Sequence, residues 1–281
     1  MTLLSLEEVQ KQRARATVVA AAVGDALGAN YSSKPELLAA LGDGPVVFTK
    51  GRPWQKGEWT SSTAMAVPVL ECVAENWKMR IISAREEAER SEHGNRALAR
   101  SFPIAIGHLG EGREPQLVRD VWSAVTLTQH QREVIQAAQL LALGLRNAIL
   151  TGEPDFKNQV KHLPDTTPEQ NDAWTARVAE AEKSTPEAYT KTNNTAVGAL
   201  QAAIAANAGA TDVKTVLERS VRAGGECDRV ACIAGAISGA RSGSEPSEWR
   251  EGVWGEPLPM PGQASVILEA YVDRAIKKQL Q

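Results

Sequence analysis

Carboxylates and hydroxyls concentrate in four glycine-containing segments of the chain, at residues 24–28, 57–65, 94–100 and 224–231. Each segment lies where an apolar, helix-forming stretch begins or ends. Carboxylates serve in acid–base catalysis or metal binding, and hydroxyls beside free N–H groups bind anions such as phosphate. The pattern therefore predicts a ligand site assembled from the loops between helices.

The segment 57–65 places Glu58 and four consecutive hydroxyls, at residues 60–63, directly before an apolar stretch. The first turn of a helix has unpaired N–H groups and a positive dipole end, which suit a phosphate. The alternative is that these hydroxyls serve only as helix N-caps. Asp25 poses the same choice, because it either contacts a ligand or caps a neighbouring helix.

The segment 224–231 begins with two glycines and continues with Glu226, Asp228 and Arg229. Two adjacent glycines before a helix form either a ligand-binding loop or a plain turn. The two acidic residues are candidates for chemistry in either case, because they lie at the start of the helix that follows.

Alanine-rich segments with a 3.6-residue period dominate the chain, and strand-like alternation is nearly absent. Gly235 and Gly239, four residues apart, predict close packing of one helix against another. The single strand prediction covers residues 45–49. We predict an all-α fold in one large helical domain spanning residues 1–281, with one helix ending near Gly24. The other predicted helices cover residues 60–77, 95–107, 115–128, 131–150, 168–183, 195–207, 212–223, 228–241 and 264–279.

The composition excludes several classes of protein. The 281 residues have a formal net charge of −3 with both signs interspersed, so no basic surface for nucleic acid is indicated. No apolar run reaches the roughly 18–20 residues of a membrane helix. The three cysteines lack the spacing of a zinc site and make a poor disulfide set. We therefore predict a cytoplasmic protein with no nucleic-acid or membrane partner.

The order of these segments along nearly the whole chain resembles the ADP-ribosylglycohydrolase family. That family has a helix ending in Gly-Asp-Ala-Leu-Gly, then Gly-x-Trp-Thr-Asp-Asp-Thr-x-Met, Asn-Gly-x-x-Met-Arg-x-x-Pro and a Thr-x-His element. It ends with Gly-Gly-Asp-x-Asp-Thr-x-Ala, a small-residue helix and Pro-x-x-Trp. The positions that match or approximate these motifs are 24–28, 57–65, Asn95 with Arg100 and Pro103, Thr128 with His130, 224–240, and Pro246 with Trp249.

The resemblance implies an all-α domain whose inter-helix loops hold an ADP-ribosyl or related ribonucleotide ligand. It carries over two sets of candidate residues. The catalytic candidates are Glu58, Glu226 and Asp228. The ligand-binding candidates are Asp25, Trp59, Thr60, Ser61, Ser62, Asn95, Arg100, His130, Gly224, Gly225 and Arg229.

The departures from the family pattern fall on its metal site, where the two aspartate motifs hold two magnesium ions. Here the first aspartate pair is Ser61 and Ser62, and Glu226 and Arg229 replace an Asp and a Thr of the last motif. Magnesium prefers oxygen ligands with carboxylates supplying charge, so we predict no metal and no other cofactor. A family glutamate used in catalysis or gating aligns with Ser32.

Arg229 suggests what replaces the metal. A guanidinium is always charged and matches carboxylate or phosphate oxygens, so Arg229, paired with Glu226 or Asp228, is a candidate for the positive centre of the pocket. In the alternative interpretation Arg229 points to solvent and the site has decayed.

Two functions remain open. In the first, the protein cleaves an N-ribosidic bond of an ADP-ribosyl or NAD-derived small molecule without metal, through an oxocarbenium-like state. In the second, it is a non-catalytic binder of ADP-ribose or a nucleotide that acts as a sensor, scaffold or immunity-type partner. A purely structural role is a third and weaker interpretation.

Overall fold

Thirteen α-helices provide most of the regular structure in residues 6–75 and 94–279, the part of the chain that the computed structural model describes. Loops and short 3₁₀ helices join them. The α-helices are α1 (Glu8–Gly28), α2 (Pro35–Leu41), α3 (Ser61–Glu75), α4 (Arg96–Ser101), α5 (Glu114–Val125), α6 (Arg132–Thr151), α7 (Phe156–Gln159), α8 (Pro168–Ala181), α9 (Ala196–Asn207), α10 (Val213–Arg222), α11 (Cys227–Ser242), α12 (Ser247–Arg250) and α13 (Ala264–Gln279).

The all-α prediction is confirmed, because every predicted helical segment coincides with helical structure and the described residues contain only isolated β-bridges. The segment 60–77 is α3, and its last two predicted residues lie outside the described part of the chain. The segment 95–107 divides into α4 and a 3₁₀ helix, Phe102–His108, with Pro103 in its first turn. Proline has no N–H to donate, so it disfavours a continuous α-helix there.

Two predictions of local structure are wrong. The first helix does not end near Gly24 but continues to Gly28, because Gly24 is buried and serves helix packing rather than termination. Residues 45–49 form no strand. They are an irregular loop in which Val46 is fully buried, and the Tyr31 hydroxyl donates to the Val47 carbonyl oxygen at 3.3 Å.

Helices α1 and α11 lie antiparallel with their backbones in contact. A Cβ atom placed on Gly24 would lie 2.1 Å from the Ala231 carbonyl oxygen, and one placed on Gly239 would lie 2.2 Å from that of Ala16. Both distances are far below van der Waals contact, so no side chain fits at either position. A Cβ on Gly235 meets the same obstacle, which confirms the close packing predicted from the glycine spacing.

This contact brings the last turn of α1 against the first turn of α11. A Cβ atom on Gly28 would lie 2.4 Å from the Cα atom of Asp228. The carboxylate-bearing ends of the two helices are therefore fixed beside each other by a contact between backbones, which leaves little freedom for either to shift.

Helix α6, Arg132–Thr151, lies in the core. By length and composition it is apolar enough to cross a membrane, but 83% of its most apolar window is buried inside the fold. It packs against α1, α5, α9 and α11, so its apolar surface is covered by other helices of the fold.

We expect Gly239→Ala to destabilise the fold through the α1–α11 contact. In a free helix, alanine would be favoured over glycine by about 0.5–1 kcal/mol, whereas overpacking a tight contact costs about 1–3 kcal/mol. We therefore expect Gly239→Ala to lower the free energy of unfolding, which is measured as a lower urea midpoint. Gln12→Ala, at an exposed position of α1, is the control and should be nearly neutral. A midpoint for Gly239→Ala at or above that of the unmodified chain would contradict the packing argument.

Candidate functional site

Asp25, in the last full turn of α1, is completely buried and joins α1 to the start of α3. One carboxylate oxygen accepts the Thr60 hydroxyl at 2.6 Å, and the other accepts the backbone N–H groups of Thr60 at 3.2 Å and Thr63 at 2.8 Å. Asp25 therefore caps α3, as the second interpretation of this residue predicted. Thr60, and not Asp25, lines the neighbouring pocket.

Burial, together with the nearby Asp228 carboxylate, raises the pKa of Asp25 to about 7. The hydrogen bonds from Thr60 and Thr63 act in the opposite direction, because they favour the charged form. The surroundings of Asp25 thus disfavour the charged form of its carboxyl group.

Asp228, in the first turn of α11, is the carboxylate that interacts with Asp25, and the Thr60 hydroxyl contacts both. It is 5% exposed and lines the pocket. One of its oxygens accepts the Ser32 hydroxyl at 2.6 Å, and the other lies 3.4 Å from the Thr60 hydroxyl. Ser32, at the position where the family has a glutamate, thus holds Asp228 by a hydrogen bond.

Glu226 is the more accessible of the two pocket carboxylates, with its side chain 32% exposed. Its Oε2 atom accepts a hydrogen bond from Asn95 Nδ2 at 2.9 Å and forms an ion pair with Arg229. The Arg229 side chain is only 11% exposed, and it lines the same pocket. The geometry agrees with the interpretation in which Arg229 turns inward and not with the one in which it points to solvent.

The two glycines before Glu226 form a turn that their conformation requires, since Gly224 has φ of +71° and Gly225 has φ of +63°. Asn193, from the loop before α9, holds this turn. Its Nδ2 donates to the Gly224 carbonyl oxygen at 2.9 Å, and its Oδ1 accepts the Glu226 N–H at 3.0 Å. Asn193 was not among the predicted site residues, because no motif surrounds it.

These residues surround a pocket of about 330 Å³. The N-terminal turns of α3 and α11 border it, and both ends carry the positive side of a helix dipole. Lys34, Trp54 and Arg96 also line it and were not among the predicted site residues. No charge pattern or motif distinguishes Lys34 and Trp54, whereas Arg96 stands in the third motif at the position where the family has a glycine. The lining residues are Ala29, Ser32, Ser33, Lys34, Pro53, Trp54, Thr60, Ser61, Arg96, Glu226, Asp228 and Arg229.

Trp59 is a predicted ligand-binding residue that the structure places outside this lining. Its ring is 1% exposed, and its Nε1 atom donates to the Glu256 carbonyl oxygen at 2.9 Å. A Cβ on Gly255 would lie 2.4 Å from the indole nitrogen. Trp59 is therefore a core residue that anchors the loop before α3.

The remaining predicted residues do not line the pocket. Ser62 is buried behind Thr60, and Gly224 and Gly225 form the turn. Glu58 accepts the Gln55 N–H at 2.7 Å and closes a turn. Arg100 donates to the Thr128 hydroxyl. His130 is exposed in the loop before α6.

Burial, with the nearby Arg96 cation adding to it, lowers the pKa of Arg100 to about 10. This guanidinium therefore remains charged at neutral pH.

A larger cavity of about 840 Å³ lies at the opposite end of α11, bordered by Ile237 and Arg241. Size alone favours that cavity as the ligand site. We place the site in the smaller pocket, because Glu226, Asp228 and the two helix N-termini converge there.

The donor set does not fit the two magnesium ions that the resemblance implies. Ser61 and Ser62 are neutral, and the Thr60 hydroxyl donates its proton to Asp25. The Glu226 carboxylate is ion-paired with Arg229. In the described residues no group of three or more His, Cys, Asp or Glu side chains could hold a metal ion.

The raised pKa of Asp25 predicts a pH dependence of stability. Since the pKa of Asp25 is about 7 in the folded protein, against an ordinary value of 3.8, the folded state binds the proton more tightly. The free energy of unfolding should therefore fall as pH rises through that window, and level off above it. We expect Asp25→Asn to be less stable than the unmodified chain at every pH, because its amide cannot accept all three hydrogen bonds. Its free energy of unfolding should not fall with pH in this window, because the amide does not titrate. Urea midpoints at pH 5 and pH 8 measure it, and equal falls in both proteins would contradict the assignment.

Comparison with known proteins agrees with this architecture. The sequence profile of the ADP-ribosylglycohydrolase family matches residues 6–86 and 74–278. A solved structure described as "ADP-ribosylglycohydrolase-related protein complex" is 22% identical, with a TM-score of 0.74, over 97% of this chain and 100% of that one. In all, 46 chains of known structure match, whereas no curated protein does.

At this level of identity the structural match shows the fold alone. The sequence profile covers nearly the whole chain and shows the family. This chain therefore belongs to the ADP-ribosylglycohydrolase family, and its class is that of a glycosyl-hydrolase-like enzyme.

Proposed function

We propose that this protein is a metal-independent glycohydrolase that cleaves an N-ribosidic bond of an ADP-ribosyl or NAD-derived small molecule. The observation that carries the proposal is the position of Glu226. Its carboxylate is 32% exposed in the pocket, beside the nearly buried Asp228, while a fixed guanidinium from Arg229 lies against it. The pocket thus combines a carboxylate for a positively charged sugar with a cation for an anionic ligand.

In the proposed reaction the bond between ribose C1′ and the base nitrogen breaks, and its electron pair leaves with the base. The ribose becomes oxocarbenium-like, and the Glu226 carboxylate stabilises that positive charge. Water then bonds to C1′, and its proton passes to Glu226 or Asp228. A pyridinium base leaves as a neutral molecule, so this step needs no acid. An arginine leaving group would need one, which is why we favour a small NAD-like or base-modified substrate.

The positive charges around the pocket favour a ligand that carries a phosphate group. Its cationic side chains are Lys34, Arg96 and Arg229, and the first turns of α3 and α11 add N–H groups. A volume of about 330 Å³ lies at the small end of the range for small-molecule sites, about 300–1,000 Å³. A ribonucleotide fragment fits such a volume better than a modified protein does.

We also propose that the protein uses no metal or other cofactor. Arg229 supplies the positive charge that magnesium would provide, and the poor donor set supports this view. The expected partner is the small-molecule ligand, with no nucleic acid and no membrane. A reducing, cytoplasmic location is consistent with the thiols of Cys227 and Cys232, both of which are buried.

One observation favours the alternative of a non-catalytic binder. The Glu226 carboxylate is already ion-paired with Arg229, which neutralises part of the charge that catalysis would use. In that case the pocket holds ADP-ribose without cleaving it. The similar solved structure is described as part of a protein complex, so a binder of this kind would act through a protein partner.

Turnover in the presence of a chelator distinguishes the two functions. The protein is incubated with NAD, nicotinamide mononucleotide or ADP-ribosyl-arginine, in EDTA or in magnesium, and free base and sugar are measured by chromatography. We expect release of nicotinamide that EDTA does not reduce. Thermal protection by ADP-ribose without any release supports the binder. Release that requires magnesium overturns the metal-independent mechanism.

We expect Glu226→Gln to lower kcat by at least about 100-fold, because the amide cannot stabilise an oxocarbenium charge as a carboxylate does. Glu251→Gln, at an exposed position outside the pocket, is the matched control and should retain full activity. A Glu226→Gln protein with near-normal kcat would remove Glu226 from the mechanism.

Arg229→Gln tests the source of the positive charge. We expect ADP-ribose affinity to fall by about 10-fold or more, as removal of a charge-assisted contact does, and added magnesium not to restore it. Calorimetric titration in EDTA and in magnesium gives both values, and Arg132→Gln, which is exposed, controls for the loss of charge. Restoration of affinity by magnesium would show that the metal site is still functional.

A further inference from the structure

Asn193 connects three separate parts of the site although it does not line the pocket. Its side chain, 1% exposed, donates to the Gly224 carbonyl oxygen and accepts the Glu226 N–H. Its own carbonyl oxygen accepts a hydrogen bond from Asn95 Nδ2 at 2.6 Å. All three contacts are buried or nearly buried, so losing any one leaves a polar group without a partner.

The glycine turn is shaped to fit around this side chain. A Cβ atom on Gly225 would lie 2.4 Å from Asn193 Oδ1 and 2.7 Å from the Thr190 carbonyl oxygen. The turn therefore packs directly on the Asn193 amide. The orientation of the residue after the turn, Glu226, depends on that contact.

Asn95 provides a second route from Asn193 to the same carboxylate. The Asn95 amide has two N–H donors, and it gives one to the Asn193 carbonyl oxygen and the other to Glu226 Oε2 at 2.9 Å. The first bond fixes the direction of the second. Asn193 thus holds the backbone of Glu226 directly and its carboxylate through Asn95.

We infer that Asn193 is the positioning residue that sets the orientation of the Glu226 carboxylate. The inference rests on the proposed function for the importance of that orientation, but its structural part stands independently. Glu226 has two competing partners, Asn95 and Arg229. Without the Asn193 side chain the turn that carries Glu226 is free to move. The Asn95 amide keeps its bond to the main-chain carbonyl oxygen of residue 193, so the displaced carboxylate moves out of reach of Asn95 and keeps only the ion pair with Arg229.

The first measurement needs no ligand. Amide hydrogen exchange of Glu226 and of the Asn95 side chain is followed by NMR in the unmodified chain and in Asn193→Ala. We expect Glu226 exchange to accelerate by at least about 10-fold, since its acceptor is lost. Asn207→Ala is the matched control, because Asn207 is also buried and its side chain also makes two hydrogen bonds to the backbone, both by donation, to the carbonyl oxygens of Ala203 and Ala234. It should destabilise the fold similarly and leave Glu226 exchange unchanged relative to global unfolding.

The second measurement separates positioning from general destabilisation. We expect Asn193→Ala to lower kcat/KM for the nicotinamide substrate by at least about 10-fold more than Asn207→Ala at equal loss of melting temperature. In a Glu226→Gln background this additional loss should disappear, because residues that act through one another are not additive.

Three outcomes decide the matter. An additional loss that persists in the Glu226→Gln background, or exchange that rises equally in the two asparagine variants, overturns the positioning role. Normal Asn193→Ala activity with fast Glu226 exchange overturns it as well. If the unmodified chain neither turns over nor binds ADP-ribose, the proposed function fails, and the exchange comparison alone decides whether Asn193 holds Glu226.

Discussion

The contact between the backbones of α1 and α11 is the constraint on which the rest of the site depends. It buries Asp25 and brings Asp228 close to it, and burial together with the Asp228 carboxylate raises the pKa of Asp25 to about 7. The Thr60 hydroxyl lies between the two carboxylates. A looser helix pair, separated by ordinary side chains, would place the two carboxylates too far apart to interact. The interaction between these two carboxylates thus depends on a helix contact that backbone atoms make.

On this framework the chain builds a pocket whose positive charge belongs to the polypeptide. Arg229, Arg96 and Lys34 line it, and the helix N-termini add to their positive charge. In the proposed function these groups take the place of exchangeable cations. A fixed guanidinium has a single position and requires no deprotonated cluster of ligands. Arg229 also neutralises part of the Glu226 charge. The same pocket is therefore compatible with catalysis and with binding alone.

The helical fold could be predicted from the sequence because 3.6-residue periodicity and helix caps are local signals. Gly24 misled the prediction, since a glycine that ends a helix and one that permits close packing look the same without the partner helix. The pocket carboxylates Glu226 and Asp228 could be named from their motif. Asn193 and Lys34 could not, because they reach the site through distant loops. The burial of Trp59 outside the pocket lining could not be predicted either, because a motif does not show burial.

The glycine positions of α1 and α11 where no side chain fits also limit what can be concluded when a sequence is assigned to this fold. Replacing Gly24, Gly28, Gly235 or Gly239 would harm the architecture whatever the pocket does, so these glycines report the shape of the molecule and nothing of its chemistry. A chain recognised by them could equally be active or inert. The discriminating residues are those at 61, 226 and 229, which line the pocket, so that substitution there changes what the pocket can hold.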